Sequence, residues 1–208
     1  MRLLSIAILA GFGFVAAPPS EAFDLQGHRG ARGLMPENTL PAFARALTIG
    51  VTTLELDVGT SRDGIVVVAH DPHLNPALAR GPDGKWIGTP GPPLRSLTHG
   101  EITTFDVGRI NPADRYAKRF PDQTPVDGTS MPTLAAVFAL ARKAGNRTVR
   151  FNVETKLRPD APDLTLPPAA LARAVISQLR QAGVADRSTV QSFDWRTLKH
   201  VQEVAPSI

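Results

Sequence analysis

The chain has 208 residues, 42% hydrophobic and 20% charged, with a formal net charge of +4 and no cysteine. This balance suits a globular domain with a sizeable core and excludes a disulfide scaffold and lipid attachment through cysteine. The basic residues are scattered among acidic ones, without an aromatic-interleaved stripe, so the charge does not mark a nucleic-acid surface.

Arg2 is followed by an apolar run from Leu3 to Ala17, and Ser20-Glu21-Ala22 places small residues where a signal peptidase reads. The run is shorter than the about 20 residues of a membrane span. Residues 1–22 are therefore expected to be a cleaved leader rather than a stable membrane anchor, which directs the chain to the periplasm or to secretion. Residues 23–208 are expected to form the folded domain.

From there strands and helices alternate. Asp24 to His28 reads as a strand entering a glycine-rich turn, and Asn38 as the cap of a helix from Thr39 to Leu47 that ends at Gly50. Thr52 to Val58 and Ile65 to His70 read as strands joined in hairpin fashion at Asp63-Gly64. Residues 71–130 break the rhythm: they are rich in proline and glycine. They also carry Trp86, Phe105, Tyr116 and Phe120, so the expectation is an ordered insertion over one end of the sheet. A helix from Met131 to Ala144 with Ser130 as cap comes next, then a strand from Thr148 to Glu154 and a helix from Pro167 to Ala182. The last units are a strand from Ser188 to Phe193, with Phe193 in the core, and a helix from Trp195 to Val204 capped by Asp194. Such alternation predicts an α/β fold with a parallel sheet or barrel. The turn His28-Arg29-Gly30-Ala31-Arg32-Gly33 lacks the dinucleotide fingerprint.

Several polar residues recur at the C-terminal ends of these strands. Glu55 and Asp57 are two apart and share one face, while Leu54, Leu56 and Val58 point to the other. Asn152, Glu154 and Lys156 repeat the pattern. Carboxylates gathered on one face repel one another unless a cation sits among them, and an oxygen-only set suits Ca²⁺ or Mg²⁺. His28 and His70 each end an apolar strand, and the unperturbed pKa of histidine suits one to serve as base and the other as acid. Arg29 and Lys156 offer positive charge to a phosphate, and Glu37 can orient Arg29 or a histidine.

The ordered set His28-Arg29-Gly30, Pro36-Glu37-Asn38-Thr39, Glu55-Leu56-Asp57, Asp63-Gly64, His70-Asp71, Glu154-Thr155-Lys156 and Gln191-Ser192-Phe193-Asp194 resembles the glycerophosphodiester phosphodiesterase family. The insertion resembles that of its periplasmic-type members through Phe105-Asp106-Val107-Gly108-Arg109, Pro125-Val126-Asp127-Gly128 and Met131-Pro132-Thr133-Leu134. The resemblance implies a TIM-type (β/α) barrel and metal-dependent cleavage of glycerophosphodiesters to glycerol 3-phosphate and an alcohol. It implies acid–base roles for His28 and His70, a divalent metal (Ca²⁺ or Mg²⁺) on Glu55, Asp57 and Glu154, and phosphate-side roles for Arg29, Glu37 and Lys156. The partner it implies is a small-molecule glycerophosphodiester. A whole barrel has eight strands and typically about 250 residues, so a chain with five strand segments is expected to be a barrel truncated at its C-terminus. The alternatives are an inactive fragment, a noncatalytic phosphodiester binder, and a related barrel phospholipase.

Overall fold

Alternation along β2 (Thr53–Thr60) sets the two sides of the sheet. Leu54, Leu56 and Val58 are fully buried in one apolar cluster with residues of the helices, whereas Glu55 and Asp57 take the opposite face. The computed structural model describes residues 23–208; the expected leader at 1–22 lies outside them. Four strands are parallel. β1 (Gln26–Gly27) pairs with β2, β2 pairs with β4 (Arg150–Thr155), and β4 pairs with β5 (Ser188–Gln191). The covering layer is built from α1 (Leu40–Ile49), α3 (Leu134–Lys143), α4 (Pro168–Gln181) and α5 (Trp195–Val204). In α4 the buried Leu171, Ala172, Val175, Ile176 and Leu179 fall on a single stripe, as a helix lying on a sheet requires. Among the described residues, no helix is long and apolar enough to cross a membrane.

The segment expected as a third strand forms β3 (Val66–Val68), which runs antiparallel to the end of β2 with Val58 opposite Val68 and Thr60 opposite Val66. It is one arm of the hairpin that Asp63-Gly64 predicts, and Gly64 takes a positive φ of 81° in the turn. Of the five strands, four therefore belong to the parallel arc and one folds back on it.

Two helix caps differ from expectation. The cap of α1 is Thr39, whose hydroxyl accepts from the Ala42 amide at 3.3 Å, because the side chain of Asn38 is drawn to Asp57. The cap of α3 is Thr133, accepting from Ala136, rather than Ser130. Pro132 disfavours helical backbone at Met131, so the helix starts only after it.

Residues 71–130 are ordered around a second apolar cluster of Val67, Ala69, Leu74, Ala79, Leu94, Ile102 and Met131. A four-residue helix, α2 (His99–Ile102), carries a full capping box between Thr98 and Glu101. Arg80 is paired with Asp106 and Asp127, and Arg109 grips Asp127 through two hydrogen bonds of 2.8 and 2.6 Å. The insertion is tied to the loop after β1, since Thr124 donates to the Leu34 carbonyl and Gln123 to the Arg32 carbonyl, both at 2.8 Å.

That loop turns on Gly30, at φ 80°, where an added Cβ would lie 2.7 Å from the carbonyl carbon of Ala42 in α1. Gly30→Ala is expected to destabilise the fold by about 2 kcal/mol or more, through positive-φ strain plus displacement of α1. Urea unfolding of the variant beside the wild type measures this; an unchanged midpoint would show that the loop is not packed as described.

Candidate active site

The β2–β4 register puts Asp57 opposite Glu154 and Glu55 opposite Asn152. Side chains of paired parallel strands share a face, so three carboxylates converge. One oxygen each from Glu55, Asp57 and Glu154 lies within 4.8 Å of the others, and all three residues are buried. Two cations hold them. Lys156 Nζ lies 2.6 Å from Glu154 Oε1 and 3.1 Å from Asp57 Oδ1, and Arg29 Nε lies 3.0 Å from Asp57 Oδ2. Arg29 Nη1 donates to Glu37 Oε1 at 2.7 Å.

Four buried carboxylates (Glu37, Glu55, Asp57 and Glu154) thus meet two fixed cations. Glu55 bears the imbalance. Burial first, and then the charges of Asp57 and Glu154, push its pKa up to about 7, although the Arg29 amide donates to Glu55 Oε2 at 2.8 Å. The group suits a hard divalent cation on one further observation. Asp57 Oδ1 is buried and, among the described residues, has an ion contact with Lys156 but no hydrogen bond. A 2+ ion would neutralise the remaining charge and take that lone pair.

The histidines stand beside this centre but line different cavities. His28 Nε2 is 3.8 Å from Glu55 Oε2, and its Nδ1 lies 2.9 Å from Arg32 Nη2. Burial, Arg32 and Arg29 all lower its pKa. His70 Nδ1 lies 2.9 Å from Asp71 Oδ1, and Asp71 Oδ2 accepts from Asn75 Nδ2 at 2.7 Å. His70 lines a cavity of about 220 Å³ with Glu154, Lys156, Phe193 and Asp194. His28 lines a separate one, of about 350 Å³, with Arg32, Leu34 and Phe120.

Every residue singled out from the sequence is in or beside this network, but Arg29 is committed differently from its expected role. Its guanidinium is largely buried between Glu37 and Asp57. Burial opposes its charge, yet the two carboxylates outweigh that and hold its pKa above the ordinary value. Phe193 is a correction: it is 87% exposed rather than core. β5 ends at Gln191, and the turn that follows carries the ring outward, 5.8 Å from Lys156 Nζ. Four contributors were missed. Asn38 Nδ2 donates to Asp57 Oδ2 at 2.9 Å, and Gln191 Nε2 donates to Glu154 Oε2 at 3.0 Å. Asp71 holds His70, and the hydroxyl of Tyr116 donates to Glu37. Gln191 was within reach of strand alternation, since it falls on the Glu154 face. Asn38 was not, because its φ of 55° turns the side chain inward.

Residues 28–208 match the profile of the Glycerophosphoryl diester phosphodiesterase family. The chain belongs to this family. A glycerophosphodiester phosphodiesterase of Caldanaerobacter subterraneus is 29% identical over 181 residues, covering 87% of this chain and 62% of that protein. A crystal structure from Silicibacter pomeroyi DSS-3, described as a glycerophosphoryl diester phosphodiesterase, superposes with a TM-score of 0.81 at 35% identity over 88% of this chain and 61% of that one. The fold also matches an Oleispira antarctica phosphodiesterase solved with its product sn-glycerol-3-phosphate, with a TM-score of 0.63 at 24% identity over 88% of this chain and 62% of that one. The parallel arc is thus part of the family's α/β barrel, and the chain spans about three fifths of the length of these relatives.

The Glu55 pKa gives a stability signature. Its folded value lies above the ordinary 4.5, so its stabilising effect is complete below that pH and is lost as the pH rises through about 7. In metal-free protein, Glu55→Gln is expected to melt close to the wild type at pH 5 and above it at pH 8. Adding Mg²⁺ or Ca²⁺ should raise the wild-type melting temperature at pH 8 more than that of the variant. A constant difference across pH would place the charge strain elsewhere.

Proposed function

We propose that this chain carries the acidic half-barrel site of a metal-dependent glycerophosphodiester phosphodiesterase, which hydrolyses its substrate to glycerol 3-phosphate and an alcohol. The observation that carries this reading is the buried carboxylate trio set between Arg29 and Lys156, whose Asp57 Oδ1 is met by the Lys156 ion contact alone. Family membership supports it, as does the phosphodiesterase name of the Caldanaerobacter relative.

Glu55, Asp57 and Glu154 would hold Ca²⁺ or Mg²⁺. The ion, when bound, draws charge from a phosphoryl oxygen and fixes the phosphate for in-line displacement. Lys156, now neutralising Asp57 and Glu154, is free to turn toward the phosphate once those oxygens are otherwise engaged. Glu37 keeps Arg29 charged and oriented on the Asp57 side.

The histidines take opposite proton roles, set by their neighbours. Arg32 is always a donor, so His28 Nδ1 accepts and the proton sits on Nε2. His28 therefore points an Nε2–H donor at the centre, and it becomes an acid only by taking a second proton on Nδ1 in place of the Arg32 contact, which its lowered pKa opposes. Asp71 is an acceptor, with a pKa that burial raises but that His70 and Asn75 hold low overall, so His70 carries its proton on Nδ1 and offers Nε2 as base. The base side then faces the cavity shared with Glu154, Lys156 and Phe193, which is where the phosphodiester and its nucleophile would meet. For the leader at residues 1–22 we propose export to the periplasm or beyond, on its charge and apolar run alone.

The test is release of glycerol 3-phosphate from glycerophosphocholine and glycerophosphoethanolamine. It is measured on the chain and on the whole product of its reading frame, with Mg²⁺ or Ca²⁺ and with a chelator. Release that the chelator abolishes is expected. Binding of the diester without release would reject catalysis, and headgroup release from intact phosphatidylcholine would point to a phospholipase. His28→Ala and His70→Ala should each lower turnover by about 10²-fold or more, the usual weight of an acid–base group. Near-normal turnover in either variant removes that histidine from the mechanism.

A further inference from the structure

The insertion brings one phenol into the charge network. Tyr116 lies in the 3-10 turn Arg115–Arg119, where Asp114 Oδ1 accepts from the Tyr116 amide at 2.8 Å. Its ring packs edge-on against Phe120 with 5.1 Å between centroids, and the Arg32 guanidinium sits 4.9 Å from the Phe120 ring. The turn is thus fixed to the loop after β1, which the Gln123–Arg32 and Thr124–Leu34 bonds also hold. From this anchored position the Tyr116 hydroxyl donates to Glu37 Oε2, while Glu37 Oε1 accepts from Arg29 Nη1 at 2.7 Å.

We propose that Tyr116 is a positioning residue for the reaction: it fixes Glu37, and through Glu37 it holds the Arg29 guanidinium against Asp57. This role rests on the phosphodiesterase reading given above. The argument is one of unshared oxygens. Glu37 is buried, and each of its two carboxylate oxygens has one charged or hydroxyl partner. Without the phenol, Oε2 would be desolvated and unpaired, which is costly for a carboxylate. Glu37 would then rotate to share both oxygens with Arg29 or would admit water. Either movement shifts Arg29 away from Asp57 Oδ2, which it approaches at 3.0 Å, and leaves that oxygen with Asn38 alone. The phenol is suited to a fixed donor role, since burial and then the Glu37 carboxylate push its pKa up to about 12. The insertion is accordingly part of the active site and not merely a cover over it.

Two measurements decide this. Tyr116 is the sole tyrosine of the chain, so ultraviolet difference absorbance reads its ionisation alone. The wild-type phenol should stay protonated through about pH 11, and Glu37→Gln should bring its ionisation below that. In glycerophosphocholine turnover, Tyr116→Phe should still fold, with a modestly lowered melting temperature, and should lower kcat/KM by about tenfold, the scale of one hydrogen bond to a charged group. In the Glu37→Gln background the same substitution should cost less than about twofold, because the two residues act in series. Equal losses in both backgrounds, or wild-type turnover in Tyr116→Phe, would overturn the proposal. So would ordinary ionisation of Tyr116 with Glu37 intact. If Tyr116→Phe fails to fold, the phenol titration in Glu37→Gln still decides whether the contact exists. If the wild type releases no glycerol 3-phosphate, the functional reading fails and takes the positioning role with it, while the titration still reports the Tyr116–Glu37 contact separately.

Discussion

Repulsion among buried carboxylates is the constraint around which this structure is arranged. Glu55, Asp57 and Glu154 are brought together by nothing more unusual than parallel strand register. Removing such groups from water is expensive unless each is paired. Lys156 and Arg29 answer that cost for Asp57 and Glu154, Asn38 and Gln191 add neutral donors, and Glu55 is left to keep its proton near neutral pH. The residual strain is what prepares the site for a cation, because a fully compensated cluster would have nothing to gain from one.

The same logic explains why the loop after β1 is so tightly constrained. Arg29 and Asn38 both have positive φ, at 53° and 55°, and Gly30 lies between them at 80°. Non-glycine residues adopt that region at a cost. Here the cost is offset because each side chain reaches Asp57 from a backbone that would otherwise point it away. The Asn38 amide also donates to the Arg29 carbonyl at 3.0 Å, closing the loop on itself. Strain of this kind marks a site where geometry is held against local preference.

Much of this was legible beforehand. Alternation in β2 and β4 put the carboxylates on one face and the leucines and valines on the other, and the hairpin at Asp63-Gly64 was visible as a turn signal. What escaped was set by contacts distant in sequence. Asn38 looked like a helix cap because asparagine before a helix usually is one, and only the Asp57 carboxylate, 19 residues on, diverts it. Phe193 looked like core because an aromatic ending an apolar strand usually is, but β5 stops two residues earlier. Tyr116 meets Glu37 across 79 residues, a separation over which no periodicity carries information.

The antiparallel turn-back of β3 fixes where the insertion leaves the sheet and where it rejoins it. Val68 donates to the Pro132 carbonyl at 2.9 Å, and Val67 bridges to Thr133, so the chain departs after β3 and comes back at nearly the same point. A detour whose ends already touch can change length at little entropic cost, since closure depends only weakly on the number of residues enclosed. Neither the strand order nor the carboxylate trio would be disturbed by such a change. The outer stretches of the detour can therefore be lengthened or shortened without rebuilding the barrel, provided that Asp71 stays on His70 and the turn carrying Tyr116 stays seated on Glu37.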